Sequence, residues 1–337
     1  MSDTTKFAFT ICSNNYLGQA NALKRSFLKH NPDFQFTIVL VDKLSEEIDY
    51  SIFEPAEVIP VATIKTIDID ELVSRYYIIE LNTSIKPSVF KHIINEHPQA
   101  EVVYYLDPDL YFYDSLAELN GILKHKTAAL TPHILSPIQR DGKKPDENIF
   151  LNFGIYNLGF IGVNAKSEEA QRMLDWWEER TIYHGYDRPK IGYFVDQLWM
   201  AQAPLFYEDI AILKSYNYNM APWNLHERHI VEINGDDVLL NDDTKLVFYH
   251  FSKIADNDID VSREYDRFTL NDFPLLKELY TDYKKVLKES RYWEMKSIPI
   301  AYPVKIIEKT PQNTNPSLLR RALKRLSSIF SKWGDNV

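Results

Sequence analysis

The sequence predicts an α/β fold in which helices flank a mostly parallel sheet. Continuous apolar runs at 7–11, 36–41 and 102–106 are typical of strands that are buried on both faces. A helical pattern follows the first run, and another over 87–96 begins with proline, which helices accept in their first turn. Strands that alternate with helices indicate parallel pairing, because each helix returns the chain to the same edge of the sheet.

The second half of the chain has a more mixed pattern. Apolar runs predict strands at 158–163 and 246–249. Helical patterns predict helices at 168–180 and 274–289. We find no internal repeat, so these elements are expected to extend the same globular domain.

The C-terminal tail is predicted to be a separate element. Prolines and polar residues mark a linker over 299–316, which separates a globular domain, 1–298, from an amphipathic helix at 317–337. Its apolar side chains recur at helical spacing, and 315–333 carries five basic residues and no acidic one. This pattern predicts a helix that lies on an anionic membrane surface; docking on the same domain or on a second subunit is the alternative.

Composition limits the class of protein. The 337 residues include 48 acidic and 38 basic ones, and the net charge of −10 argues against general nucleic-acid binding. The single cysteine, Cys12, excludes a disulfide framework and a multi-cysteine zinc site. No apolar run is long enough for a membrane span, and the polar start is unlike a signal peptide. We therefore predict a cytoplasmic protein, held on the inner face of the cell membrane if the tail binds lipid.

Two carboxylates follow the apolar run that ends at Leu106. Asp107 and Asp109 flank Pro108, and side chains two residues apart project to the same side of an extended segment. Ligands of α/β proteins bind beyond the carboxyl ends of strands, and paired carboxylates attract a hard cation such as Mg²⁺ or Mn²⁺. A turn with two solvated acids is the alternative.

The stretch 103–110 resembles the "DxD" segment of nucleotide-sugar-dependent glycosyltransferases with the GT-A fold. Other segments are similar, in order, to the retaining galactosyltransferase and glycogenin-like family (glycosyltransferase family 8-like), including bacterial cell-envelope enzymes. They are a turn that opens a helix at 9–16, a segment at 80–87, an N-x-G strand at 157–161, a DQ element at 194–197 and a late histidine segment at 248–252. The resemblance implies a Rossmann-like domain with a mixed, mostly parallel sheet.

The resemblance also implies roles for individual residues. It implies a site for Mn²⁺ or Mg²⁺ formed by Asp107, Asp109 and His250. It implies contacts to a nucleotide-sugar donor from Cys12, Ser13, Asn15, Tyr16, Lys86, Asn157 and Lys253. It places Asp196 and Gln197 at the reacting carbon of the sugar, as the catalytic residues.

Several of these residues have a structural alternative or depart from the family pattern. His250 could be a hydrogen-bonded core residue, and Lys86 a solvated lysine. Asp196 could be the N-terminal cap of a helix, and Asn157 could close a turn. Lys253 departs from the family, which often has a glycine and Lys-Pro-Trp after its histidine.

Aromatic and histidine residues elsewhere have weaker patterns. The other histidines considered, which we predict to be structural or on the surface, are His133, His184, His226 and His229. Trp223 lies in a predicted loop and could form a platform for an acceptor sugar or belong to the core.

The sequence therefore predicts a metal-dependent glycosyltransferase. The resemblance implies that it would move a sugar from a nucleotide diphosphate donor, a UDP-sugar, to a hydroxyl of a glycan or lipid-linked acceptor, with retention of configuration, in cell-surface polysaccharide synthesis. The alternatives are a sugar-phosphate nucleotidyltransferase, for which no Gly- and Lys/Arg-rich triphosphate loop is found, and a non-catalytic glycan- or partner-binding protein.

Overall fold

A seven-stranded sheet organises the computed structural model, which describes residues 4–303. The strands are β1 (Lys6–Cys12), β2 (Gln35–Leu40), β3 (Glu57–Pro60), β4 (Val102–Leu106), β5 (Leu110–Phe112), β6 (Ala128–Pro132), β7 (Tyr156–Asn164), β8 (Asp187–Arg188), β9 (Tyr193–Phe194), β10 (Ile210–Ile212), β11 (Ile230–Asn234), β12 (Asp237–Leu240) and β13 (Phe248–His250). The large sheet has the order β10-β6-β7-β4-β1-β2-β3.

Helices connect and cover the strands. They are α1 (Leu17–His30), α2 (Ile69–Arg75), α3 (Ile78–Ser84), α4 (Lys86–Glu96), α5 (Ala117–Leu123), α6 (Glu147–Phe153), α7 (Glu168–His184), α8 (Ala203–Phe206), α9 (Pro274–Glu289) and α10 (Tyr292–Lys296). Short 3₁₀ helices occupy Asn14–Tyr16, Tyr50–Phe53, Val61–Thr63, Pro189–Ile191 and Trp199–Gln202.

The predicted fold class, a mixed and mostly parallel sheet flanked by helices, is confirmed. Strand β7 is antiparallel to both of its neighbours, β4 and β6, whereas the other pairs in the large sheet are parallel. Side chains of the central strand β4 alternate between two cores. Val103 and Tyr105 pack on one face, and Val102, Tyr104 and Leu106 pack on the other, as expected for a strand covered on both sides.

The predicted strand at 246–249 is displaced toward its C-terminal end. It forms β13, which pairs with the short strand β5 outside the large sheet, and His250 is its last residue. Leu246 and Val247 precede β13 and do not pair with β5. They are buried against other segments, which is why the apolar run in the sequence starts two residues before the strand. This pairing matters for the site, because it sets His250 directly opposite Leu110.

The predicted amphipathic helix at 317–337 lies outside the described residues, as does the linker from residue 304 onward. Among the helices within 4–303, none is long and apolar enough to cross a membrane. Binding of the tail to a membrane therefore stays a prediction.

Candidate active site

A cleft of about 500 Å³ opens at the carboxyl end of β4, where ligands of α/β sheets are expected. Nine of the twelve residues predicted for the site line this cleft: Tyr16, Lys86, Asp107, Asp109, Asn157, Asp196, Gln197, His250 and Lys253. They come from six separate parts of the chain, which the sheet and its connections bring together.

The other three predicted residues, Cys12, Ser13 and Asn15, are not among those that line the cleft. The side chain of Cys12 is buried in the core beside α1, and the Ser13 hydroxyl donates a hydrogen bond to Asn15 Oδ1 at 2.6 Å. Next to them, Tyr16 is 46% exposed and presents its ring to the cleft. A role of the three residues in nucleotide binding stays a prediction.

Strand pairing builds a cluster of three potential metal ligands. Asp107 and Asp109 lie in the turn between β4 and β5, and the pairing of Leu110 with His250 brings the imidazole beside them. His250 Nε2 lies 3.0 Å from Asp109 Oδ1 and 3.9 Å from Asp107 Oδ2. The three ligand atoms lie within 4.8 Å of one another. Two carboxylates and an imidazole are a suitable donor set for Mn²⁺, and the oxygens also suit Mg²⁺.

The charges of this cluster depend on each other. Burial raises the pKa of Asp109, but the adjacent His250 outweighs this and holds the pKa below its usual range. Burial lowers the pKa of His250, and Asp109 in turn raises it above its usual range. In the metal-free protein the two groups therefore favour a carboxylate paired with an imidazolium.

Lys86 forms the second charged element of the cleft. It is only 2% exposed, so the alternative of a solvated lysine is wrong. Its Nζ lies 2.8 Å from Asp196 Oδ2 and 3.9 Å from Asp107 Oδ1, and it donates to the Leu158 carbonyl at 3.0 Å. It also lies 4.2 Å from the centre of the Tyr105 ring. Lys86 is thus the counter-ion of a buried carboxylate that lines the cleft.

A strained backbone holds Asp196 in this position. The preceding residue, Val195, has a φ of +40°, which β-branched residues rarely adopt and which is often found at functional sites. The indole N–H of Trp177 donates to the Asp196 carbonyl at 3.1 Å. The next helical turn begins at Trp199 with no side-chain cap, so the capping alternative for Asp196 is wrong. Burial raises the pKa of Asp196, and Lys86 opposes this.

Both ends of the Gln197 side-chain amide form hydrogen bonds with backbone groups. Its Oε1 accepts from the Leu158 N–H at 3.0 Å, and its Nε2 donates to the Phe153 carbonyl at 2.8 Å. These bonds join β7 to the end of α6. A role of Gln197 at the reacting carbon stays a prediction, since the amide is already bonded in the free protein.

Two cations lie at the mouth of the cleft. Lys253 is exposed and forms an ion pair with Glu264. Arg263 also lines the cleft, and its backbone N–H donates to the Lys253 carbonyl at 3.0 Å. Sequence reasoning missed Arg263 because it stands in an irregular segment with no motif.

Two residues from the weaker sequence patterns belong to the cleft wall. His133, predicted to be structural or on the surface, is buried at the end of β6 and lines the cleft. Asp107 is identified in the sequence because it is a polar residue that directly follows a buried strand. The same rule applied to β6 would have identified His133. Trp223 is 4% exposed, and its ring lies 5.3 Å from that of His133 and 5.0 Å from that of His250.

Gly159 makes room for the cluster. A Cβ at this position would lie 2.6 Å from His250 Cε1, 2.7 Å from Asp107 Oδ2 and 2.9 Å from Asn157 Oδ1. We expect Gly159→Ala to displace these groups, to weaken Mn²⁺ binding at least tenfold and to lower the free energy of unfolding by about 1–3 kcal/mol. Calorimetric titration with Mn²⁺ and chemical denaturation measure the two effects.

Gly121→Ala is the matched control for this prediction. Gly121 lies in α5, and a Cβ there would meet nothing within 4 Å. We expect unchanged Mn²⁺ affinity and a gain in stability of about 0.5–1 kcal/mol from the better helix former. Equal Mn²⁺ affinity in the two variants would contradict the role given to Gly159.

The chain is similar in sequence to uncharacterized proteins and similar in structure to glycosyltransferases. No protein-family model matches the chain. Two proteins of Bacillus subtilis (strain 168) are similar in sequence, and both are uncharacterized. YfnF is 25% identical over 81% of this chain and 89% of its own length, and YfnD is 23% identical over 72% and 76%.

Three of the similar solved structures are glycosyltransferases. The galactosyltransferase LgtC, solved with donor and acceptor sugar analogues, is 14% identical, with coverage of 87% of this chain and 97% of LgtC and a TM-score of 0.45. The glycosyltransferase GlyE of Streptococcus pneumoniae TIGR4 is 14% identical, with coverage of 90% and 66% and a TM-score of 0.47. Mouse xyloside xylosyltransferase 1 is 14% identical, with coverage of 73% and 98% and a TM-score of 0.42.

Proposed function

We propose that the protein is a metal-dependent glycosyltransferase of the GT-A type, related to the retaining galactosyltransferase and glycogenin-like family. It takes a sugar from a nucleotide diphosphate donor, a UDP-sugar, and passes it to a hydroxyl of a glycan or lipid-linked acceptor. One observation carries the proposal: the cluster Asp107, Asp109 and His250 shares a cleft with the buried pair of Lys86 and Asp196.

The cluster supports a metal site that faces the donor. Asp107, Asp109 and His250 would hold Mn²⁺ or Mg²⁺, which when bound supplies positive charge for the departing diphosphate. Lys253 and Arg263 at the mouth of the cleft offer two further cations for phosphate oxygens. Lys86 adds a third positive charge, although its Nζ is already bonded to Asp196.

Asp196 is suited to act on the sugar itself. In the reaction, the bond from the anomeric carbon to the diphosphate breaks, a bond from that carbon to the acceptor oxygen forms, and the acceptor proton passes to the departing phosphate. The anomeric carbon becomes positively charged on the way, and a fixed carboxylate in a dry site stabilises that charge. We propose that Asp196 does this, with Gln197 beside it, and that attack from the leaving-group side retains the configuration.

The remaining contacts are assigned by position. The exposed ring of Tyr16 offers a stacking surface for a nucleotide base. Cys12, Ser13 and Asn15 lead into it and are proposed to complete the nucleotide site through their backbone and side chains. Asn157 lines the cleft, and we propose that its amide bonds a hydroxyl of the donor sugar.

We further propose where the enzyme works. The basic amphipathic pattern of 317–333 fits an anionic membrane surface, which would bring the cleft to a lipid-linked acceptor. This suits a cytoplasmic enzyme, peripheral on the inner face of the membrane, that takes part in cell-surface polysaccharide synthesis.

The proposal is tested by release of nucleoside diphosphate from a panel of nucleotide sugars. We expect slow hydrolysis of one donor in the presence of Mn²⁺, and we expect a chelator to abolish it because the departing diphosphate loses its positive partner. Re-addition of Mn²⁺ after chelation should restore the rate. Chromatography of the nucleotide products measures both.

Calorimetric titration with UDP, in Mn²⁺ and in chelator, is the control that needs no acceptor. Metal-dependent UDP binding without turnover would indicate that the acceptor is required. Neither turnover nor metal-dependent binding of any nucleotide in the panel would overturn the proposed function.

A further inference from the structure

The imidazole of His250 has a defined partner on each ring nitrogen. Its Nε2 faces the carboxylates, 3.0 Å from Asp109 Oδ1. Its Nδ1 lies 3.2 Å from Asn157 Oδ1, on the side away from the carboxylates. A neutral imidazole that coordinates a metal through Nε2 carries its proton on Nδ1, and the amide oxygen is positioned to accept that proton.

The other end of the Asn157 amide contacts a second histidine. Asn157 Nδ2 lies 3.4 Å from His133 Nε2. In the amide orientation of the structure Nδ2 faces His133 and can only donate, which makes His133 Nε2 the acceptor and places the His133 proton on Nδ1. Donors and acceptors then alternate from His250 Nδ1 to Asn157 Oδ1 and from Asn157 Nδ2 to His133 Nε2, and His133 Nδ1 is buried without a hydrogen-bond partner among the described residues.

His133 is held rigidly enough to serve as the end of this chain. Its backbone N–H donates to the Ile155 carbonyl at 2.9 Å, and its carbonyl accepts from Asn224 Nδ2 at 3.1 Å. Its ring stacks on that of Phe150 at 5.0 Å. Burial lowers the pKa of His133 to about 3, so its ring is neutral and keeps a lone pair for Asn157.

We propose that Asn157 and His133 are positioning residues that select the Nδ1–H tautomer of His250 when a metal binds and keep its Nε2 lone pair directed at the ion that Asp107 and Asp109 would hold. The inference rests on the proposed metal site of the transferase. It also gives Asn157 a task in addition to the predicted sugar contact, since its amide oxygen is bonded before any donor arrives. Neither residue would touch the metal.

The first test is titration of the full-length, nucleotide-free protein with Mn²⁺. Removal of a residue that orients a metal-binding histidine weakens metal affinity roughly 10–100-fold, and we expect this for Asn157→Ala. Asn157→Asp keeps an oxygen for His250 and should bind more tightly than Asn157→Ala. Thermal unfolding of each variant without metal shows whether the fold is retained.

The second test observes the tautomer. Nitrogen NMR of the protein loaded with Zn²⁺, a diamagnetic ion that imidazole binds, should show His250 as a single Nδ1–H tautomer when the histidines are ¹⁵N-labelled. His133→Phe keeps a ring against Phe150 but removes the acceptor, and we expect tautomer exchange in its spectrum. His133→Gln supplies an acceptor oxygen again and should restore the single tautomer.

His250→Ala separates failure of this inference from failure of the metal site. If His250→Ala binds Mn²⁺ as tightly as the wild type, the metal site and the proposed function are both overturned. If His250→Ala loses Mn²⁺ while Asn157→Ala retains wild-type affinity and a single tautomer, only the positioning role is overturned.

Discussion

Asp109→Asn is expected to abolish detectable Mn²⁺ binding and donor turnover. The substitution keeps the shape of the side chain but removes the negative charge that faces His250 Nε2 at 3.0 Å. Removal of a residue that hydrogen-bonds to a metal ligand lowers metal affinity roughly 10–100-fold. Removal of a charged ligand itself should lower it more than about 100-fold. Calorimetry with Mn²⁺ and release of nucleoside diphosphate measure the two losses.

Asp114→Asn is the matched control for Asp109→Asn. Asp114 follows on the same segment, accepts a hydrogen bond from the Ser115 N–H at 2.7 Å and is not among the residues that line the cleft. We expect wild-type Mn²⁺ affinity and turnover from this control. If Asp109→Asn binds Mn²⁺ as tightly as Asp114→Asn, Asp109 is not a metal ligand.

The main elements of the fold could be predicted because their signals are local. The helix predicted at 274–289 is α9 with the same bounds, and the apolar run at 102–106 is β4. The direction of β7 could not be derived from the apolar run at 158–163, because parallel and antiparallel strands in a covered sheet are equally apolar. The pattern of apolar residues along a strand shows that the strand is buried, but it does not show which strand lies beside it or in which direction that strand runs.

The same limit applies to the site. The pairing of Asp107 with Asp109 is visible in the sequence because they are two residues apart, but the proximity of His250 depends on the pairing of β5 with β13. His133 reaches the cluster only through the sheet neighbours β6 and β7. His250 and Leu110 lie more than a hundred residues apart in the sequence, and His133 and Asn157 lie 24 residues apart on different strands, so no spacing rule covers these contacts.

Of the changes considered, loss of the buried ion pair between Lys86 and Asp196 should lower the stability most. Lys86→Met is expected to lower the free energy of unfolding by about 3–5 kcal/mol at neutral pH, because it leaves the buried carboxylate of Asp196 without its counter-ion. Chemical denaturation measures the change. The double variant Lys86→Met/Asp196→Leu removes both charges and should recover much of the loss.

Lys91→Met is the control on the same helix. Lys91 pairs with Asp175 and Glu178 at 2.7 and 2.6 Å, but its side chain is 30% exposed, so we expect a loss of about 1 kcal/mol or less. Equal losses for Lys86→Met and Lys91→Met would contradict the buried ion pair.

The pH dependence of Lys86→Met gives an independent check on the cause. Burial already raises the pKa of Asp196 in the folded protein, and loss of Lys86 removes the interaction that opposes this. A carboxyl group whose folded pKa is raised binds more protons in the folded state, so its contribution to stability is lost as pH rises through that pKa. The deficit of the variant should therefore be small below the pKa of an unfolded aspartate and should grow to its full size at neutral pH. A deficit that is independent of pH would point to lost packing of the lysine stem, and Asp196 would then not be the charge that Lys86 balances.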